Sequence, residues 1–316
     1  MKKPLVATIA TAFLASLLFL AIAGSGLGFL FIFLPCIPFF LLGFAFSPRL
    51  ILQAGLISSL LISILTGNLI ASILFFMAFA IPCWFSSRLL SWHYDIKLGD
   101  NQPILRLWYP VGLVILDLAV YACAVLAIAT AFYATQEINL PQLLAADIKE
   151  QINLMQKQYD MAIDIVPQSL SFMLCGFFAW LWVIAVWAHA WIANYALNKQ
   201  KITNRPSLAI HPFPIPNWLL TLMSICALAS LIGGESMRFL GKSSLIILLL
   251  PYFFQGAALL NLSTQKWVNQ RFFLFFVYFS IATLFWPAFI LSGIGLFNHI
   301  KILNKHLSSG GNSPIS

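Results

Sequence analysis

The eight residues His211-Pro-Phe-Pro-Ile-Pro-Asn-Trp218 follow a basic run, Lys199, Lys201 and Arg205, and lead into an apolar stretch that begins near Trp218. The prolines at 212, 214 and 216 cannot donate backbone hydrogen bonds and hold the chain extended. A stiff piece with cations behind it and apolar sequence on both sides reads as a connector at a membrane surface. Working outward from it, one apolar run follows another in both directions. The fold class expected is therefore all-α, a polytopic transmembrane helical bundle.

Composition agrees with that reading. Of 316 residues, 61% are hydrophobic and 8% are charged, and the mean hydropathy is +0.93. Soluble domains carry roughly 25% charged residues, so this chain lacks the makings of a water-facing surface. At roughly 20 apolar residues per span, about eight or nine spans fit. They form a single integral membrane domain over 1–300, with a polar tail, 301–316, that reads as disordered. The net charge of +8 does not point to nucleic acid. Lys and Arg sit singly or in threes between apolar segments, as in cytoplasmic loops. The partner this implies is the lipid bilayer. The cysteines at 36, 83, 123, 175 and 226 lie inside apolar stretches, with no C-x-x-C pair and no histidine at ligand spacing. They read as small buried apolar side chains, and no metal or cofactor is expected.

Met1-Lys-Lys-Pro4 followed by Leu5 to Ala23 has the outline of a signal peptide. Its apolar core exceeds the usual length of about 7–15 residues, so it is read as an uncleaved first span. Ala7, Thr11 and Ala15 fall at i, i+4 and i+8 along it, a small-residue face on which another helix can dock closely. Leu27 to Phe46 is broken by Pro35 and Pro38, and is either a kinked span or a re-entrant hairpin. Leu50–Thr66 and Leu69–Phe85 are two spans joined by a Gly67-Asn68 turn. Arg88 to Arg106 is a polar loop, with Lys97 between Asp95 and Asp100. Leu107 to Tyr133 is the next span. Residues 134–168 carry Glu137, Asp147, Glu150, Asp160 and Asp164. Leu144, Ile148, Ile152, Met155 and Tyr159 recur there at helical spacing, and Pro141 suits a helix start. This segment is expected to be one amphipathic extracytoplasmic helix. Ser169–Leu197 and Leu219–Gly233 are spans, 234–243 is a turn, and Ser244–Leu262 and Phe272–Phe297 complete the series.

With the N-terminus inside, one side carries Lys2, Lys3, Arg49, Arg88, Lys97, Arg106, Lys199, Lys201, Arg205, Lys266 and Arg271, against six basic residues opposite. The positive-inside rule then places the N-terminus in the cytoplasm and the acidic 134–168 segment outside. It also makes the proline connector a cytoplasmic elbow.

Asp117 lies about ten residues into its span, near mid-bilayer at 1.5 Å per residue. A carboxylate there is costly unless protonated, paired or facing a cavity. It reads either as a proton or cation site or as a hydrogen-bonded Asp joining two helices. Gln255 in Pro251-Tyr-Phe-Phe-Gln-Gly256, with His189 and Asn194, completes the solute- or proton-binding candidates; Pro and Gly can open a helix as in transporter sites. No P-loop, His-Glu-x-x-His or Gly-x-Ser-x-Gly occurs, and no catalytic residue or enzymatic activity is expected.

His211–Trp218, Gly233-Gly-Glu-Ser-Met-Arg-Phe-Leu240, Pro251–Gly256, Trp286-Pro287 and Gly293-Ile-Gly-Leu-Phe297 together resemble a bacterial membrane family typified by YybS, over most of the chain and most closely after residue 200. That family is similar in membrane pattern to the S-components of energy-coupling-factor transporters. The resemblance implies a bacterial inner-membrane protein that binds a small solute and relies on separate ATPase and coupling subunits. Ala7, Thr11 and Ala15 would then be the docking face. S-components have about six helices, fewer than expected here, and none of their vitamin-binding motifs is present. The competing expectation is a structural scaffold in an envelope or division complex. A pocket of polar groups at Asp117 and Gln255 would favour the first; internal satisfaction of those side chains would favour the second.

Overall fold

The computed structural model describes residues 2–23, 33–96, 105–159, 167–203 and 205–308. In chain order these form α1 (Lys2–Ala23), α2 (Cys36–Ala45), α3 (Pro48–Thr66), α4 (Leu69–Leu90), strands β1 (His93–Ile96) and β2 (Leu105–Trp108), α5 (Val111–Thr135), α6 (Leu140–Tyr159), α7 (Pro167–Lys199), α8 (Trp218–Ile232), α9 (Glu235–Thr264), α10 (Gln270–Leu284) and α11 (Pro287–Ser308). Among the described residues six helices, α1, α3, α4, α5, α7 and α9, are long and apolar enough to cross a membrane. The pair α10–α11 makes a seventh if its bent halves are one span. The chain is a multi-pass helical membrane protein. The difference from eight or nine spans lies in α2 and α8, which have 10 and 15 residues. At 1.5 Å per residue they reach about 15 and 22 Å, short of a core roughly 30 Å thick. Residues 27–32 of the proline-broken segment lie outside the described residues.

The chain divides into two compact units, Met1–Val114 with Trp182–Ala209, and Ile115–Leu181 with Ile210–Ser316. In the first, α3 and α4 form the expected helical hairpin. Gly67 ends α3 with φ +65°, a left-handed conformation that glycine adopts without penalty. Asn68 caps α4, its Oδ1 accepting from the Ala71 N–H at 3.0 Å, which satisfies an otherwise unpaired donor of the first turn. Further along α4, residues 76–80 form a π-helical turn ahead of Pro82. Proline has no N–H, so the carbonyl four residues back loses its usual partner. That carbonyl belongs to Ala78, and the Trp182 indole Nε1 donates to it at 3.0 Å.

The small-residue face of α1 is used within the chain. Ala12 and Ala15 are fully buried, and Thr8 and Ser16 nearly so. The Ser58 hydroxyl of α3 donates to Ala12 O at 3.0 Å, and the Ser16 hydroxyl reaches Ser58 O at 3.3 Å. Small side chains let the two backbones come close enough for these bonds. Of the face expected at Ala7, Thr11 and Ala15, Ala15 packs internally, and Ala7 and Thr11 are half-buried.

The polar loop expected over 88–106 contains an antiparallel hairpin, pairing His93 with Trp108 and Ile96 with Leu105. Arg106 holds Asp95 through two hydrogen bonds of 2.8 and 3.0 Å. This bidentate contact pulls the exposed Asp95 carboxyl below the usual carboxylate range. Lys97 and Asp100 lie outside the described residues.

The second unit corrects three expectations. The segment 234–243 is not a turn: Gly233 and Gly234 alone make the break, and Glu235 opens the 30-residue α9. Two glycines free the chain to reverse, and Gly234 serves as N-cap. The 272–297 span is two helices bent by 117°. Phe285 at the break has φ +58°, a conformation costly for a bulky residue. Its ring is held 4.1 Å from Phe177 and 5.7 Å from Trp180, and Pro287 then starts α11 where its missing N–H costs nothing. Third, residues 301–308 of the expected disordered tail continue α11 as helix; positions 309–316 lie outside the described residues.

Helices α9 and α11 meet at glycines. A Cβ on Gly256 would overlap the Leu291 carbonyl, and one on Gly295 would overlap the Tyr252 carbonyl. Both obstructions are backbone atoms, which no rotamer change can move. Helix α6 forms within the expected amphipathic segment, with Leu140 and Ala145 buried and Gln142, Asp147 and Glu150 exposed. Asp160 and Asp164 lie outside the described residues.

Candidate functional site

In the second unit, Glu235, Arg238, Phe239 and Lys242 stand at i, i+3, i+4 and i+7 on the first two turns of α9, a spacing that puts them on one face. With Pro141 from α6 and Ser171 and Phe172 from α7, they line a cavity of about 410 Å³. The Glu235 carboxylate accepts hydrogen bonds from Asn139 Nδ2 at 2.9 Å and Gln142 Nε2 at 2.8 Å. These bonds tie the start of α6 to the start of α9. Arg238 donates through Nε to Gly233 O at 2.6 Å, one of the five N–H donors of a guanidinium. The Lys242 ammonium lies 5.0 Å from the centre of the Phe172 ring, within cation–π range. Two cations and one anion therefore converge on a volume suited to a small solute. Sequence reading missed this site because 234–243 read as a turn. The signal that could have found it is the spacing of Glu235, Arg238, Phe239 and Lys242.

The residues chosen from sequence fall elsewhere. Gln255, 4% exposed, accepts the Phe213 N–H through Oε1 at 3.0 Å. It holds the proline connector, whose Phe213 and Ile215 are buried. A second tie comes from α11. His299 bonds Asn217 Oδ1 through Nε2 at 3.1 Å and the Tyr252 hydroxyl through Nδ1 at 3.1 Å. An amide oxygen only accepts, so Nε2 carries the proton and Nδ1 takes the tyrosine hydrogen. His299 is thus buried, and it joins α11 and α9 to the end of the connector.

Asp117 is half-buried in α5 and is not without an interaction partner. Asn194 and His189 belong to the first unit, whereas Asp117 and Gln255 belong to the second. Asn194, 1% exposed, donates to Pro206 O at 3.2 Å, and Asn198, one turn on, donates to Arg205 O at 2.8 Å. His189 is half-buried on the same helix. The asparagines pin the basic loop, and Arg205 finishes the attachment. Its guanidinium is 5% exposed, donates to Tyr109 O at 3.0 Å and lies 5.3 Å from the Trp108 ring centre. Burial pushes the Arg205 pKa down to about 10, because removing the cation from water disfavours its charged form. Sequence reading counted Arg205 as one more cytoplasmic cation; it is a buried fastening instead.

All five cysteines are free thiols, Cys36 and Cys83 buried. Among the described residues no group of three or more His, Cys, Asp or Glu side chains could hold a metal ion. No family model matches the chain, and neither the curated proteins nor the solved structures yield a match.

Proposed function

We propose that this chain is a transporter-like component of the bacterial inner membrane that binds a small solute and depends on separate ATPase and coupling subunits. The observation that carries this reading is the 410 Å³ cavity at the starts of α6, α7 and α9, lined by Glu235, Arg238 and Lys242. Mixed charge in a confined space suits a small anionic or zwitterionic solute. The resemblance to the YybS-like family, with its likeness to S-components, supplies the partner class. In this arrangement the N-terminus is cytoplasmic and the cavity opens on the extracytoplasmic side. Eight or nine spans are reached when α8, and α2 with the residues before it, also cross. Ala7 and Thr11 are the part of the α1 face left for a partner.

The experiment is a thermal-shift screen of the purified protein in mild detergent against amino acids, carboxylates, phosphate esters and nucleosides. Anionic or zwitterionic compounds are expected to raise the Tm of the wild type and not of Lys242→Gln. No shift from any class, with no small molecule detected by mass spectrometry of the purified protein, would refute solute binding at this cavity.

A second reading, a membrane scaffold, is favoured by two specific observations. Gln255 is satisfied within the chain by Phe213. Helix α10 buries none of its residues and presents Phe272, Phe275, Phe276 and Phe279 outward. Co-purification of an envelope or division protein, lost on replacing those phenylalanines with leucine, would support it.

A further inference from the structure

The first unit holds a second, smaller cavity of about 220 Å³, lined by Ser47, Pro48, Arg49, Trp84 and Arg88. Its position follows from the α3–α4 hairpin. The two helices run antiparallel through the Gly67-Asn68 turn, so the start of α3, carrying Arg49, and the end of α4, carrying Arg88, lie at the same end. That end is marked as a membrane–water interface by aromatic residues directly after α4. Trp92 and Tyr94 are exposed there, and the Trp92 ring lies 5.9 Å from that of Tyr109; such belts sit at headgroup level.

The cavity is cationic without compensation. Among the described residues no acidic side chain lines it. Arg88 lies 5.9 Å from the centre of the Trp84 ring, which steadies its guanidinium beside the opening. Ser47, the N-cap of α3, makes no side-chain capping bond and lines the cavity. Two guanidiniums from different helices present the fork of donors that recognises phosphate. The volume falls below the roughly 300–1,000 Å³ of pockets that take up whole drug-sized molecules, and suits a single headgroup.

We infer that this cavity binds the phosphate group of an anionic phospholipid at the membrane surface, Arg49 and Arg88 clasping the phosphodiester while the acyl chains lie along the apolar surfaces of α3 and α4. Basic pockets between spans take such headgroups. The site is separate from the cavity of the proposed function and does not depend on it.

The test is native mass spectrometry of the delipidated full chain with phosphatidylglycerol, with phosphatidylcholine and with inorganic phosphate. The wild type is expected to retain phosphatidylglycerol in preference to phosphatidylcholine. Arg49→Gln and Arg88→Gln should each lower that preference about fivefold, and the double variant about thirtyfold. Arg49→Lys with Arg88→Lys, which keeps the charge and loses the fork, should retain a preference between those of the wild type and the double Gln variant, and shows that loss does not reflect misfolding. Arg271→Gln, a basic residue outside the cavity, should change nothing. Retention of phosphatidylglycerol unaffected by millimolar phosphate assigns the group to lipid, whereas displacement by phosphate assigns the same arginines to a free anion and overturns the lipid assignment. Equal loss in Arg271→Gln, or none in the double variant, overturns the site.

Discussion

Replacing Gln255 with leucine separates a fastening from a solute ligand. In the native chain the Gln255 Oε1 accepts the Phe213 N–H at 3.0 Å, and Phe213 itself is 5% exposed. Leucine fills similar space, so packing loss is small, but the buried N–H is left without an acceptor. An orphaned buried donor costs about 1–3 kcal/mol. For domains of about 150–250 residues each kcal/mol moves Tm by about 2–4 °C, so a fall of about 2–12 °C is expected. The measurement is thermal unfolding in mild detergent, paired with limited proteolysis of the connector, where His211 and Pro214 are exposed. A loosened connector should be cut faster in Gln255→Leu than in the wild type. If Gln255 served a solute instead, the variant would keep the native Tm and cleavage rate without ligand and lose only a ligand-induced shift. A ligand-free Tm within 1 °C of the native value, with unchanged cleavage, would therefore refute the fastening.

Two other substitutions probe the helix contacts. Gly295→Ala places a Cβ against the Tyr252 carbonyl, and backbone cannot repack; expect loss of about 3 kcal/mol or more, read as loss of the monodisperse peak in size-exclusion chromatography, whereas Gly293→Ala, where a Cβ meets open space, should behave as wild type. Trp182→Phe removes the donor to Ala78 O and should cost about 1–3 kcal/mol, and adding Pro82→Ala should recover part of this by restoring a backbone N–H; thermal unfolding of the two variants side by side decides it.

Much of the fold was legible in the sequence because lipid imposes simple rules. A bilayer demands runs of apolar residues with all backbone polar groups paired internally, and helices alone meet that demand within one segment. So α1, α3, α4, α5 and α7, the Gly67-Asn68 turn and the amphipathic α6 could each be read locally. The same simplicity hid other elements. A strand pair of four residues each, His93–Ile96 with Leu105–Trp108, has too few residues to show a period. The helical start of α9 carries charges, and in an apolar chain charges read as loop.

The sequence by itself determined the class of molecule, the Gly67-Asn68 turn, and the stiffness of His211–Trp218. Only the tertiary structure decided what the polar residues do. Asn194 and Gln255, chosen as ligands because they sit in apolar runs, hold the basic loop and the proline connector. His299 joins them by holding the connector's last residues through Asn217. Conversely Glu235, Arg238 and Lys242, dismissed with a turn, converge on a cavity. A buried polar group must find a partner, but the partner of Gln255 lies 42 residues away in sequence. No local pattern encodes a pairing at that distance, because it exists only once the helices have packed.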